Sequence, residues 1–316
     1  MFAFSEKSVI LIVDTKEGVT DMYKKIDEYI KHLSRNKSPH TTKNYQIHIT
    51  KFVDWTYNKK KAKEPFELDK EVYLDYIDFM KEKYKPKSIH VHMTAIYSWL
   101  VFMHRKGYIS KLPFVDFAEI SDYLPPIQRE RIKALTKQEV GAILEEAKKN
   151  SFEEALIRVF VDTGMRVSEI VKIDMNDIQP LKNGMYSIEV FGKGKGGMSK
   201  QRFVFISRET YDSIQRMKMD DISGSSAVFV SQWTKRPYST KRIMEIIDDI
   251  STRAGVGHIN THIFRKTLGT TLIENGMEVE YVSKLLGHAS ITTTIDNYVD
   301  RERSLSDKFN QFHNMY

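Results

Sequence analysis

A chain of 316 residues with 49 Lys and Arg against 42 Asp and Glu carries a formal charge of +7, contains no cysteine and is 41% hydrophobic. At roughly 150 residues per domain the length predicts two domains, and the missing cysteines exclude disulfides, thiolate zinc sites, iron–sulfur clusters and cysteine nucleophiles. The longest apolar run near the start, Ser8 to Val13, is far short of the about 20 residues of a spanning helix, so the chain reads as soluble, cytoplasmic and free of membrane.

Residues 1–19 read as a short extension. From there Met22, Tyr23, Ile26, Tyr29, Ile30 and Leu33 repeat at three and four, the spacing of one buried helix face. A second helix follows Ser38-Pro39, with Tyr45, Ile49, Phe52 and Val53 apolar and Lys43, Lys51 and Lys59 among its polar positions. A third is expected over 70–84, and a fourth from Ser88 to a stop at Gly107. Residues 1–112 hold 21 Lys and Arg against 14 Asp and Glu, and the remainder 28 against 28, so the whole basic excess lies in this helical domain, 20–112.

Pro113 and the Pro125-Pro126 pair, amid mixed charges, mark 113–135 as a linker. Thr136-Lys137-Gln138-Glu139 has the spacing of a capping box and opens a second domain, 136–316. There Tyr186, Ile188 and Val190 alternate, a Gly-rich turn follows, and Phe203 to Ile206 resumes an extended pattern, as in a β-hairpin. Helices are expected over 207–219, 239–253, 262–275, 278–286 and 290–303. The fold class is therefore mainly α with a small β-hairpin or sheet.

Four local patterns could carry chemistry, and each has a plainer reading. In Thr163-Gly164-Met165-Arg166-Val167-Ser168-Glu169, Arg166 and Glu169 make either a surface ion pair or an anion site at a helix start. FGKGKGGMSK, from Phe191 to Lys200, fails as a phosphate loop because Met198 stands where Lys is required. It is either a solvated turn or a hairpin tip that brings Lys193 or Lys195 to a phosphate. His262 and Arg265, three apart, suit a phosphate on one helix face. A metal pair of His258 and His262 is disfavoured by the loop-like Gly255 and Gly257 and by the lack of a neighbouring Glu. Finally, LLGHAS places His288 after a Gly287 stop, with Tyr298 ten residues on; a single tyrosine among 16 is ordinarily a packing residue.

Taken jointly and in this order, Arg166, a hairpin Lys, His262, Arg265, His288 and Tyr298 resemble the tyrosine recombinase, or phage integrase, family. The resemblance covers the whole chain, with 20–112 similar to the family's helical core-binding (SAM-like) domain and 136–316 to its catalytic domain. It implies a site-specific DNA recombinase that cuts and rejoins strands through a 3′-phosphotyrosine, for integration or excision of a mobile element or for resolution of DNA dimers. Tyr298 is then the nucleophile, Arg166 and Arg265 the phosphate-binding cations, and His262 the base. Lys193, preferred to Lys195 because it follows the first hairpin glycine, is the acid. His288 is a phosphate donor, and Glu169 orients Arg166 or His262.

The resemblance implies no metal and no cofactor, because guanidinium groups stand where other phosphoryl-transfer enzymes use metal. It further implies double-stranded DNA as partner, contacted by Lys43, Lys51, Lys59 and Lys195. A tetramer on DNA is implied too, held through the tail after Tyr298, where Leu305, Phe309 and Phe312 are apolar. Lys266 departs from the family, many of whose members have His there, and the short extension is too brief for an arm-binding domain. The alternatives are a type IB topoisomerase, a telomere resolvase, or a non-cleaving DNA-binding protein of the same fold.

Overall fold

The computed structural model describes residues 15–60, 70–127, 133–192, 200–288 and 290–298. The chain divides into two units, Met1–Arg129 and Glu130–Tyr316, and each has its own apolar core.

The first unit is built on α1 (Thr15–Leu33), α2 (Pro39–Lys60), α3 (Lys70–Lys81) and α4 (Pro86–Arg105). Pro39 and Pro86 begin their helices, where the missing N–H is no loss and the fixed φ is already helical. Met22, Ile26 and Tyr29 of α1 are buried at the expected spacing, against Ile49, Phe52 and Val53 of α2 and Met93, Ile96 and Trp99 of α4. The core is rich in rings: Phe52 lies 5.2 Å from Tyr73 and 5.0 Å from Tyr76 between centroids. Lys43 and Lys51 are exposed on α2, and Lys59 falls on its last turn.

The stretch expected as linker differs from that reading in its first half. Residues 117–121 form α5 (Phe117–Ser121), capped by the Asp116 carboxylate, which accepts from the Glu119 N–H. Phe114, Ile120 and Leu124 are buried in the first unit's core. Their spacing of six and then four was hidden by Pro113 and Pro125-Pro126, which bound a segment too short to show a sustained period.

The second unit opens with α6 (Lys137–Ala147) under the expected capping box: the Thr136 hydroxyl accepts from the Glu139 N–H, and the Glu139 carboxylate accepts from the Thr136 N–H. Then come α7 (Ser151–Thr163), the single turn α8 (Val167–Ile170), and an antiparallel sheet in the order β1 (Ile178–Pro180), β2 (Tyr186–Gly192), β3 (Lys200–Ile206). The hairpin thus gains a third, short strand. Register sets Ile188 opposite Val204 and Gly192 opposite Lys200, so the strands run paired to the edge of the turn. Helices α9 (Arg208–Met219), α10 (Thr240–Arg253), α11 (His262–Glu274), α12 (Val279–Leu286) and α13 (Ile291–Tyr298) complete the unit. The fold is mainly helical with one small sheet, and among the described residues no helix is long and apolar enough to cross a membrane. Lys193, Lys195 and the tail with Leu305, Phe309 and Phe312 lie outside the described residues.

Candidate active site

The site forms where α7, α11 and α12 meet. Helix α7 ends on Gly164 in the left-handed region, φ +53. A Cβ there would lie 3.2 Å from the Arg265 Cα of α11 and 3.3 Å from Leu286 of α12. Glycine therefore lets the backbone turn sharply against two helices, and Arg166 follows as the N-cap of α8 rather than inside its first turn. Helix α12 ends likewise on Gly287, φ +65, which turns the chain into His288.

The last carbonyls of a helix have no partner within it and carry the negative end of its dipole. At the end of α12 three in succession are each taken by an arginine. Leu285 O accepts from Arg202 Nε at 3.0 Å, Leu286 O accepts from Arg265 Nη2, and Gly287 O accepts from Arg166 Nη2 at 3.4 Å. Arg265 also donates to Gly164 O at 3.2 Å and is only 4% exposed. Burial, then the like charge of Arg166, brings its pKa down to about 10, so it stays charged at neutral pH.

Glu169 binds two of these cations. Its carboxylate accepts from Arg166 N at 2.8 Å and Arg166 Nη1 at 2.9 Å, and from Arg202 Nη1 at 3.0 Å and Nη2 at 2.7 Å. Burial pushes the carboxyl up, but the hydrogen bonds and charge of Arg202, followed by those of Arg166, hold it below its ordinary value.

Around the arginines stand two imidazoles and a phenol. His262 begins α11, its N–H donating to Asn260 Oδ1. Desolvation, then the charges of Arg265 and Arg166, lowers its pKa and favours the neutral ring. His288 is brought down to about 4 by burial and then by Arg265, Arg166 and Arg202, and its Nδ1 lies 2.7 Å from the Thr294 hydroxyl of α13. Its ring stacks on Tyr298 at 5.6 Å between centroids and 18°. Tyr298 rests over Gly269 of α11, where a Cβ would come within 2.6 Å of the phenol ring, while Lys266 Nζ lies 4.8 Å from the ring centroid. Burial raises the phenol's pKa; the charge of Arg265, a hydrogen bond with it, and the charge of Arg166 oppose that rise.

Arg166, Glu169, His262, Arg265, His288 and Tyr298 are thus neighbours, although 132 residues separate the first from the last. Of the two partners that the sequence left open for Glu169, it engages Arg166, and it engages Arg202 besides. His258 meets the Asp248 carboxylate at 2.9 Å, and among the described residues no group of three or more His, Asp or Glu could hold a metal ion. Sequence reasoning missed Arg202. Its signal was the strand alternation: Arg202, Val204 and Ile206 share the buried face of β3, and a cation on an inward position needs a partner.

The chain is similar to known proteins along most of its length. Residues 133–304 match the phage integrase family, and residues 21–120 match the phage integrase SAM-like domain. A tyrosine recombinase of Agathobacter rectalis is 27% identical over 267 residues, covering 80% of this chain and 84% of the relative. Tyrosine recombinase XerC of Staphylococcus aureus is 30% identical over 272 residues, 83% of this chain and 86% of the relative. Two solved structures share the fold: the XerH site-specific recombinase in a post-cleavage complex with palindromic difH substrate, and a lambda integrase dimer bound to a core site. The first has TM-score 0.76 at 17% identity over 95% of this chain and 97% of that one, the second 0.67 at 16% over 94% and 83%. The chain belongs to the phage integrase family and is a tyrosine recombinase, an enzyme of site-specific DNA strand exchange.

Proposed function

We propose that Tyr298 is the nucleophile of this recombinase and that Arg166, Arg265, His262 and His288 activate the scissile phosphate of double-stranded DNA around it. The observation that supports this is the convergence of two charged guanidiniums, two neutral-leaning imidazoles and one half-buried phenol on the ends of α7 and α12. A phosphodiester resists attack because its own charge repels nucleophiles. Arg166 and Arg265 bind the non-bridging oxygens and offset the charge added in the pentavalent transition state. His288 donates a hydrogen bond to the same phosphate.

The phenol, with its pKa raised, is protonated at neutral pH and must lose its proton during attack. His262, whose neutral form is favoured, accepts it. The new Tyr298 O–P bond replaces the P–O5′ bond, and Lys193 protonates the departing 5′-oxygen. The resulting 3′-phosphotyrosine keeps an ester of similar energy, so the 5′-hydroxyl of a second strand displaces Tyr298 by the reverse steps without ATP, metal or other cofactor.

The helical unit, 20–112, serves as a core-binding domain, and Lys43, Lys51 and Lys59 meet DNA phosphates there, as does Lys195 in the catalytic domain, 136–316. The tail after Tyr298 links neighbouring subunits in a DNA-bound tetramer, and the enzyme works in the cytoplasm. Its task is integration, excision or dimer resolution. DNA nicked beside the cleavage point traps the intermediate, because the free 5′ end diffuses away. Wild-type protein is expected to give a denaturation-resistant adduct, in excess chelator as well, and Tyr298→Phe none; an adduct that survives Tyr298→Phe overturns the assignment.

A further inference from the structure

The described part of the second unit buries two cations that the mechanism above does not use, Arg158 and Arg202; Arg158 pairs with Glu154 and Glu209, whereas Arg202 touches the site through Glu169. Arg202 lies on the inward face of β3 with its side chain 7% exposed. A buried guanidinium costs several kcal/mol unless its hydrogen bonds are met. Here all three kinds of its nitrogen are engaged: Nε with Leu285 O, and Nη1 and Nη2 with the two oxygens of Glu169. The paired donors match the carboxylate as a fork matches a fork.

The consequence falls on Arg166. A carboxylate 2.9 Å from Arg166 Nη1 would by itself cancel the positive charge that a phosphate needs from that residue. With Arg202 on the other side of the same carboxylate, the trio Arg166, Glu169 and Arg202 keeps one net positive charge. Glu169 can then fix the direction of Arg166 without neutralising it. Arg202 also bears on His288. A Cβ at Gly287 would lie 2.8 Å from Arg202 Cδ and 3.1 Å from its Nε. The arginine stem therefore runs against the turn that leads into His288, and it ties that turn to β3, the strand leaving the hairpin tip.

We infer that Arg202 is a positioning residue for strand cleavage, acting through Glu169 on the orientation and charge of Arg166 and through Gly287 on the placement of His288. This inference rests on the proposed roles of Arg166, His288 and Tyr298.

The test measures single-turnover adduct formation on nicked DNA, DNA affinity and melting temperature for Arg202→Met, Arg202→Lys, Glu169→Gln and the double variant Arg202→Met with Glu169→Gln. Arg202→Met leaves Glu169 to Arg166 alone, and cleavage is expected to fall by about 10²-fold while affinity changes by less than about tenfold. The double variant removes the surplus carboxylate charge along with the cation, a replacement that buried pairs tolerate. It is expected to fold and to cleave about tenfold faster than Arg202→Met. Arg202→Lys, which keeps the charge but not the fork, is expected to fall between wild type and Arg202→Met.

Wild-type cleavage by Arg202→Met overturns the inference, as does a double variant that melts like wild type yet cleaves no faster than Arg202→Met. A Tyr298-dependent adduct in the wild-type protein keeps these failures separate from failure of the parent reading. If the wild type forms no such adduct, the parent reading falls and this inference with it.

Discussion

In the helical unit Phe52, Tyr73, Tyr76 and Trp55 pack ring against ring, while Lys43 and Lys51 of α2 stand exposed. The second unit has an apolar core of similar kind, yet Arg158, Glu169, Arg202 and Arg265 are buried within it, and among the described residues every buried arginine and glutamate lies there. The sequence shows a matching asymmetry, because the basic excess belongs to the first 112 residues and the remainder is neutral. Exposed lysines suit counterion release along any DNA backbone, at little cost to the fold. A buried cation is costly unless it is held by carbonyls and carboxylates, and holding it fixes its direction. On the proposed reading, the exposed lysines grip DNA and the buried charge around Glu169 and Arg265 serves its cleavage.

The sharpest way to break this contrast is Arg265→Lys. Lysine keeps the charge but cannot span the Gly164 and Leu286 carbonyls as the guanidinium does. Adduct formation is expected to fall by about 10²–10³-fold, with DNA affinity reduced less than about tenfold. Equal losses in the two measurements would place Arg265 in general binding instead.

Gly269→Ala comes next. Alanine favours a helix interior by roughly 1 kcal/mol over glycine, so α11 should not weaken. Its methyl would meet the Tyr298 ring at 2.6 Å. Displacing the proposed nucleophile by about 1 Å can cost up to about 10²-fold, which single-turnover cleavage at constant melting temperature would register.

The helical unit supplies a smaller effect of opposite character. His92 is 3% exposed, packs 3.8 Å from His48 between ring centroids and also faces Tyr84 at 5.5 Å. Burial, then the charges of His48 and Lys51, brings its pKa down to about 4. The unfolded chain, with a histidine pKa near 6.5, binds that proton more readily. Its contribution to stability is complete above about pH 6.5 and is lost as pH falls towards 4, by up to roughly 3 kcal/mol. Denaturant melts at several pH values should show a shallower acid loss in His92→Leu. Smallest of all, Lys43→Ala and Lys51→Ala should each weaken DNA binding a few-fold and lower the slope of log affinity against log salt by about one, equally for any sequence.

Much of this contrast was legible before any coordinates. The three-and-four spacing of Met22, Ile26 and Tyr29, the Thr136 cap and the Gly164 and Gly287 stops are local features, and they stand where local physics puts them. Tyr298 was different. A lone tyrosine carries no local signal, and it stood out through its order and spacing with the other site residues. Helix α5 was lost between prolines, and β1 is three residues long, too short to show alternation. Arg202 was missed for another reason. Its inward position could be read from Val204 and Ile206, but its partner Glu169 lies 33 residues away, and no local pattern links a strand to the helix turn it will meet. The Gly269 cradle is likewise a property of packing, since a glycine inside a helix signals nothing until α13 is laid across it.

The central claim is that DNA becomes bonded to Tyr298. Tryptic digestion of the trapped adduct isolates residues 285–301, in which Tyr298 is the only tyrosine. Mass spectrometry is expected to find the nucleotide mass on that peptide and to localise it to Tyr298; the same mass on any other peptide, or on Ser290 or Thr292 within this one, would contradict the account.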